Sequence, residues 1–111
     1  MKTLLIFFVF INLYAIDIVN LKIKQHNIIK IIRFNTLYNT KQILIKYNTI
    51  TPELLNDIES RYNLQFDQRL ITGDYIYTIK KGDLLNILNS LVYENNIIKV
   101  LPLFNKIVQT Y

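Results

Sequence analysis

QILIKYNTITPELLNDIESRYNLQFDQRLITGDYIYTIKKGDLLNILNSLVYENNIIKVLPL, residues 42–103, passes twice through the same change of period, from that of a strand to that of a helix and back. In Gln42 to Tyr47, the side chains of Ile43, Ile45 and Tyr47 fall on one face and those of Leu44 and Lys46 on the other, as in a half-buried strand. Thr51-Pro52 predicts a helix start. The Thr hydroxyl can cap a free amide, Pro fits the first turn, where its missing N–H is not needed, and Glu53 lies at the positive end of the helix dipole. Leu54, Leu55, Ile58 and Tyr62 then recur at helical spacing, giving one apolar stripe.

Leu64 to Leu70 alternates again, with Leu64, Phe66 and Leu70 set against Gln65, Asp67 and Arg69. Thr72-Gly73-Asp74 reads as a tight turn in which Gly73 takes positive φ. Tyr75, Tyr77 and Ile79 alternate with Ile76 and Thr78 in the returning strand. Lys80-Lys81-Gly82 ends that strand, and Asp83 is placed to cap a second helix. Leu84, Leu85, Leu88, Leu91 and Val92 line its buried face, with Asn86, Asn89 and Glu94 turned outward. Asn95-Asn96 stops the helix, Ile97 to Leu101 forms a last strand, and Pro102 limits further pairing. The sum is an α+β chain with the ferredoxin-like order β-α-β-β-α-β. Two crossovers of one hand put both helices on one face of a four-stranded antiparallel sheet and leave the other face uncovered.

Upstream, Ile18 to Lys24 and Ile28 to Phe34 are β-rich runs separated by Gln25-His26-Asn27, a predicted β-hairpin preceding the main unit. The sequence leaves open whether this hairpin extends the sheet or stands apart. Asn35 to Lys41 is a polar connector. At the start of the chain, Lys2, the apolar run Leu4 to Leu13 and the small Ala15 have the form of a secretory signal, shorter than the roughly 20 residues a membrane-spanning helix needs. The expected organisation is a signal peptide over 1–15, the hairpin and connector over 16–41, the main domain over 42–104, and a tail over 105–111. Export to a bacterial periplasm or medium is the expected location, with no stable membrane association once the signal is removed.

Without its signal the chain carries twelve basic and eight acidic residues, and no cysteine with which to cross-link the fold. The positive excess is scattered and defines no nucleic-acid site. Twenty Ile and thirteen Asn point to an A/T-rich coding sequence, in which Asn takes many turn positions. No enzyme chemistry is legible. His26, the only histidine, lies in a predicted turn, and Ser60 and Ser90 fall on predicted helices with no histidine in a recognisable relation. The acids are too dispersed for a metal site, and no cofactor is expected. Acylphosphatases share the element order, but the connector Asn48-Thr49-Ile50-Thr51 has no glycine to let a phosphate approach the backbone. RNA-binding modules of the same order stack bases on sheet aromatics, whereas Tyr75 and Tyr77 share the core-facing parity of Ile79.

Ile43-Leu44-Ile45-Lys46-Tyr47, Thr51-Pro52-Glu53 and Tyr62-Asn63-Leu64, then Arg69-Leu70, Gly73 and Tyr75-Ile76-Tyr77-Thr78-Ile79, and finally Leu88, Leu91 and Ile97-Ile98-Lys99-Val100-Leu101-Pro102 resemble, in pattern and spacing, the propeptides of subtilisin-family serine proteases. The likeness covers just over half of the chain and is closest to stand-alone forms that act in trans as external chaperones or inhibitors. The resemblance implies a subtilisin-like serine protease as partner, with the open sheet face packed on the enzyme and the C-terminal tail in its substrate cleft. It assigns Leu44, Lys46, Asp67, Arg69, Ile76 and Thr78 to the protease-facing sheet, with Ile76 as an apolar side chain exposed away from the core. It assigns Asn105, Lys106, Ile107, Val108, Gln109, Thr110 and Tyr111 to the tail, with the Tyr111 ring offered to the primary specificity pocket. Leu101-Pro102-Leu103 departs from the pattern, since many such propeptides carry an acid there to cap helices of the protease; Asp67 and Asp74 are the candidates to replace it. The competing expectation is a structural or assembly partner in the cell envelope, docking by its sheet edges or hairpin.

Overall fold

The computed structural model describes residues 18–35 and 40–103. The expected signal segment, most of the connector and the expected tail lie outside the described residues. Two hairpin strands, β1 (Ile18–Gln25) and β2 (Ile28–Asn35), precede β3 (Gln42–Tyr47), helix α1 (Pro52–Arg61), β4 (Leu64–Arg69), β5 (Tyr75–Ile79), helix α2 (Leu84–Leu91) and β6 (Ile97–Pro102). The strands form one antiparallel sheet in the order β2-β1-β6-β3-β5-β4. The chain is therefore α+β, with six strands where residues 42–103 alone predicted four. The hairpin joins the main sheet beside β6.

The hairpin turns on His26 and Asn27, both at positive φ (50° and 63°), as a two-residue turn of the twist-matched kind requires. Asn tolerates that conformation better than most residues. The turn is tied to the last strand by Asn27 N–H donating to the Ile98 carbonyl at 2.9 Å, and Lys24 is registered with Val100. Lys24 is buried, and its ammonium donates to the Glu94 carbonyl at 3.2 Å, just past the C-terminal end of α2. A cation there meets the negative end of the helix dipole.

Thr51 caps α1 as expected, its Oγ1 accepting from Leu54 N–H at 3.2 Å, with Pro52 in the first turn. Asp83 occupies the equivalent position before α2 in extended conformation, but its side chain makes no capping bond. Ile87, which the spacing did not single out, is buried with Leu84, Leu88 and Leu91, while Leu85 is only partly buried. Ile58 of α1 and Leu88 and Leu91 of α2 share one core cluster with Ile43, Ile45, Tyr47, Leu64, Tyr75, Tyr77, Ile79, Ile97 and Val100 of the sheet. On β3 and β5 these residues are all of one parity, so both helices lie against the same sheet face. Full burial of each such aliphatic side chain contributes about 1.5–3 kcal/mol.

Two outward-facing expectations change. Asn89 accepts from Lys22 N–H at 3.1 Å, which joins α2 to β1. Glu94 pairs with Arg61 at 2.8 Å and accepts from the Tyr62 hydroxyl at 2.7 Å, joining α1 to the turn after α2. The hydrogen bond from Arg61 holds the Glu94 carboxyl below its usual range, and burial aided by Glu94 pushes Tyr62 up to about 12.

Candidate functional site

The sheet face opposite the helices is built from the second parity of the same strands. Register places its residues in three rows running across β6, β3 and β5. The middle row is apolar: Leu101 pairs with Leu44, Leu44 with Ile76, and Ile76 with Gln68 on β4. One side is charged, with Lys99 directly opposite Lys46 and Asp74 beside it at the start of β5. On the other side, Gln42 pairs with Thr78 and Thr78 with Gln65.

The charged row has a defined electrostatic structure. Like charges directly opposite on neighbouring strands repel. Asp74 offsets this in part, with Oδ2 at 3.7 Å from Lys99 Nζ and accepting from Thr72 Oγ1 at 2.9 Å. Asp74 is only 5% exposed, so it is a buried counter-ion rather than a free acid on the face. Among the described residues Lys46 has no ion-pair partner, which leaves this end of the face net positive.

In the polar row, Asp67 accepts from Thr78 Oγ1 and from Gln42 Nε2. Asp67 reaches those partners because it is the extra residue of a β-bulge: Phe66 pairs with Tyr77, but Gln68 pairs with Ile76. The bulge corrects one expected site residue. Arg69 pairs with Tyr75 and its guanidinium lies 5.2 Å from the centre of that ring, on the helix side of the sheet. Leu44, Lys46, Asp67, Ile76 and Thr78 share the face opposite α1 and α2; Arg69 does not.

Ile76 also differs from expectation. It is 6% exposed, although it lies outside the main core cluster. On a central strand it is hemmed in by Leu44 and Gln68 across the sheet and by Thr78 and Asp74 along its own strand, so its methyls are the floor of the face rather than a protrusion. Leu44, Lys46, Thr78, Lys99 and Leu101 are partly exposed around it. Lys99 and Leu101 went unassigned in the sequence, though their alternation with buried Val100 carries the signal.

The helix side holds a closed aromatic network. Tyr77 OH donates to Glu59 Oε2 at 3.0 Å, which leaves Tyr47 OH to donate to Tyr77 OH at 2.8 Å. Burial pushes Tyr47 up to about 12 and raises Tyr77 further. Tyr75 and Tyr77 are 6% and 0% exposed, so neither offers a ring to a base. Phe66, expected inside, flanks both rings yet stays 48% exposed at the β4 edge.

His26 sits in the β1–β2 turn, Ser60 on α1 and Ser90 on α2. Among the described residues no group of three or more His, Cys, Asp or Glu side chains is placed to hold a metal ion, and no helix is long and apolar enough to cross a membrane. Comparison with protein-family models, curated proteins and solved structures finds no match.

Proposed function

We propose that this protein is an exported, propeptide-like partner of a subtilisin-type serine protease, acting in trans as chaperone, inhibitor or both. The observation that carries the reading is the sheet face opposite α1 and α2, with the Leu101–Leu44–Ile76 row flanked by lysines on one side and by Gln42, Thr78 and Asp67 on the other. Four neighbouring strands in the order β6-β3-β5-β4, with two helices on one face, are compatible with a ferredoxin-like unit and support the resemblance. In the proposal, the apolar row packs against an apolar ridge of the enzyme, and Lys46 and Lys99 face negative charge at its end.

Interface size assigns a second role to the tail. Strands of about six residues, at about 3.3 Å per residue and about 4.8 Å spacing, give the four strands β6, β3, β5 and β4 a flat face of about 400 Å². A stable protein–protein contact takes about 800 Å² from each partner. The sheet is small for tight binding alone, so Asn105 to Tyr111 supply the remainder by lying extended in the substrate cleft. The test is inhibition of a subtilisin-type protease by the purified chain and by a form ending at Leu103. Inhibition by the full chain and its loss in the shorter form are expected. Failure of both forms to bind or to slow any such protease would remove the reading.

A further inference from the structure

Among the described residues β2 ends the strand order, with no strand on its outward edge. Gln25 and Ile28 close the two-residue turn as a pair that exchanges both main-chain hydrogen bonds, and such pairs recur at every second position. Ile28, Lys30 and Ile32 therefore bond to β1, while the N–H and C=O groups of Ile29, Ile31 and Arg33 point away from it. The same alternation on β1 turns Lys22 and Lys24 away from β2, and there Lys22 N–H meets Asn89 and Lys24 registers with Val100.

Natural edges are usually blunted by twist, cover, short length or charged side chains, and of these β2 carries the charges of Lys30 and Arg33, which repel a like-charged strand. β2 has eight residues, and Ile28, Ile29 and Ile31 are 59%, 38% and 64% exposed. Ile29 and Ile31 lie on one face of the strand and Ile28 on the other, so a flat apolar surface can touch only part of the set, whereas an added strand lies against both faces. Charge selects the kind of strand. Residues 18–35 contain four basic residues and no acidic one, and Lys30 and Arg33 are exposed on β2. A second copy of the chain would bring two such cationic hairpins together.

We propose that the β2 edge binds an acidic, extended polypeptide segment as a seventh strand. Read antiparallel to β2, the segment carries an acid opposite Arg33, an apolar residue opposite Ile31, an acid opposite Lys30, and an apolar residue opposite Ile29. This site is separate from the proposed protease-facing surface and does not depend on it.

The experiment titrates the full chain with a synthetic peptide of that pattern and follows backbone amide shifts and hydrogen exchange. Protection of the Ile29, Ile31 and Arg33 amides is expected, with binding that weakens as salt rises. Joint Lys30→Glu and Arg33→Glu replacement should weaken binding about tenfold or more, and Ile31→Pro, which removes one outward N–H at an edge position, should abolish it. Unchanged Tyr77 and Val100 amides report that each variant is folded, and if Ile31→Pro unfolds the chain the charge reversal decides alone. No peptide binding at millimolar concentration would overturn the proposal. So would shifts without amide protection, or a hairpin that responds to anionic phospholipid vesicles and not to the peptide. Protection of the same amides in a peptide-free dimer would reassign the edge to a second copy.

Discussion

Replacing Tyr77 by Phe tests the aromatic network that ties β3, β5 and α1 together. The ring and its stacking on Tyr75 remain, and only the hydroxyl is lost. That hydroxyl accepts from Tyr47 and donates to Glu59, and Tyr77 and Tyr47 are 0% and 5% exposed. Glu59 is partly exposed and regains water, but the Tyr47 O–H is left buried without its acceptor. An orphaned buried donor costs about 1–3 kcal/mol, so Tyr77→Phe should destabilise by about 2 kcal/mol. Tyr47→Phe leaves Tyr77 still donating to Glu59, and should cost about 1 kcal/mol. The double variant leaves no orphan between them and should cost clearly less than the two single effects together, the signature of direct coupling. Urea unfolding with an unchanged denaturant slope gives these differences as midpoint shifts. Equal costs for the two single variants, or strict additivity in the double, would refute the donor order Tyr47 to Tyr77 to Glu59.

Thr51→Ala should cost about 1 kcal/mol because a real capping bond is lost. Asp83→Ala, at a position with no such bond, should cost only a few tenths by the same denaturation assay. The Glu94 carboxyl titrates below its ordinary value of 4.5, chiefly through its hydrogen bond with Arg61, so its contribution is complete above that value and is lost as pH falls through the lowered folded-state value. Urea midpoints should therefore drop more steeply in acid for the natural chain than for Glu94→Gln. Tyr47 and Tyr62 are held protonated to about 12 against an ordinary 10.0, so their share of stability is complete below 10.0 and lost as pH rises through about 12. Ultraviolet titration of phenolate in the folded chain should show Tyr47, Tyr62 and Tyr77 ionising late, and one late tyrosine fewer in Tyr62→Phe.

The elements themselves were readable because period and punctuation agree: Gln42–Tyr47 and Tyr75–Ile79 begin and end where their alternation does, and Thr51-Pro52 starts α1. The site was readable only in part. Alternation cannot register an inserted residue, so the bulge at Asp67 was invisible, and Arg69 was assigned to the face its odd number implied. Burial of Ile76 comes from neighbours on β3 and β4 that are distant in the chain. Joining the hairpin to β6 rests on a single registered pair and the Asn27–Ile98 bond, which leave no local pattern. Asp83 has the residue type of a cap, but residue type does not set the side-chain rotamer that would make the bond.

The direct test of the proposed protease-facing surface is the affinity of the full chain for an inactivated subtilisin-type protease, compared with that of Leu44→Glu. Leu44 sits at the centre of the apolar row and is only partly buried, and the urea midpoint of the variant reports that it is folded under the binding conditions. A charge at the centre of a packed contact should cost about 2 kcal/mol or more, a loss of about thirtyfold in affinity. Measurable binding by the natural chain and that loss in the variant are the expected result. Equal affinity of the two chains would contradict docking through the sheet face opposite α1 and α2.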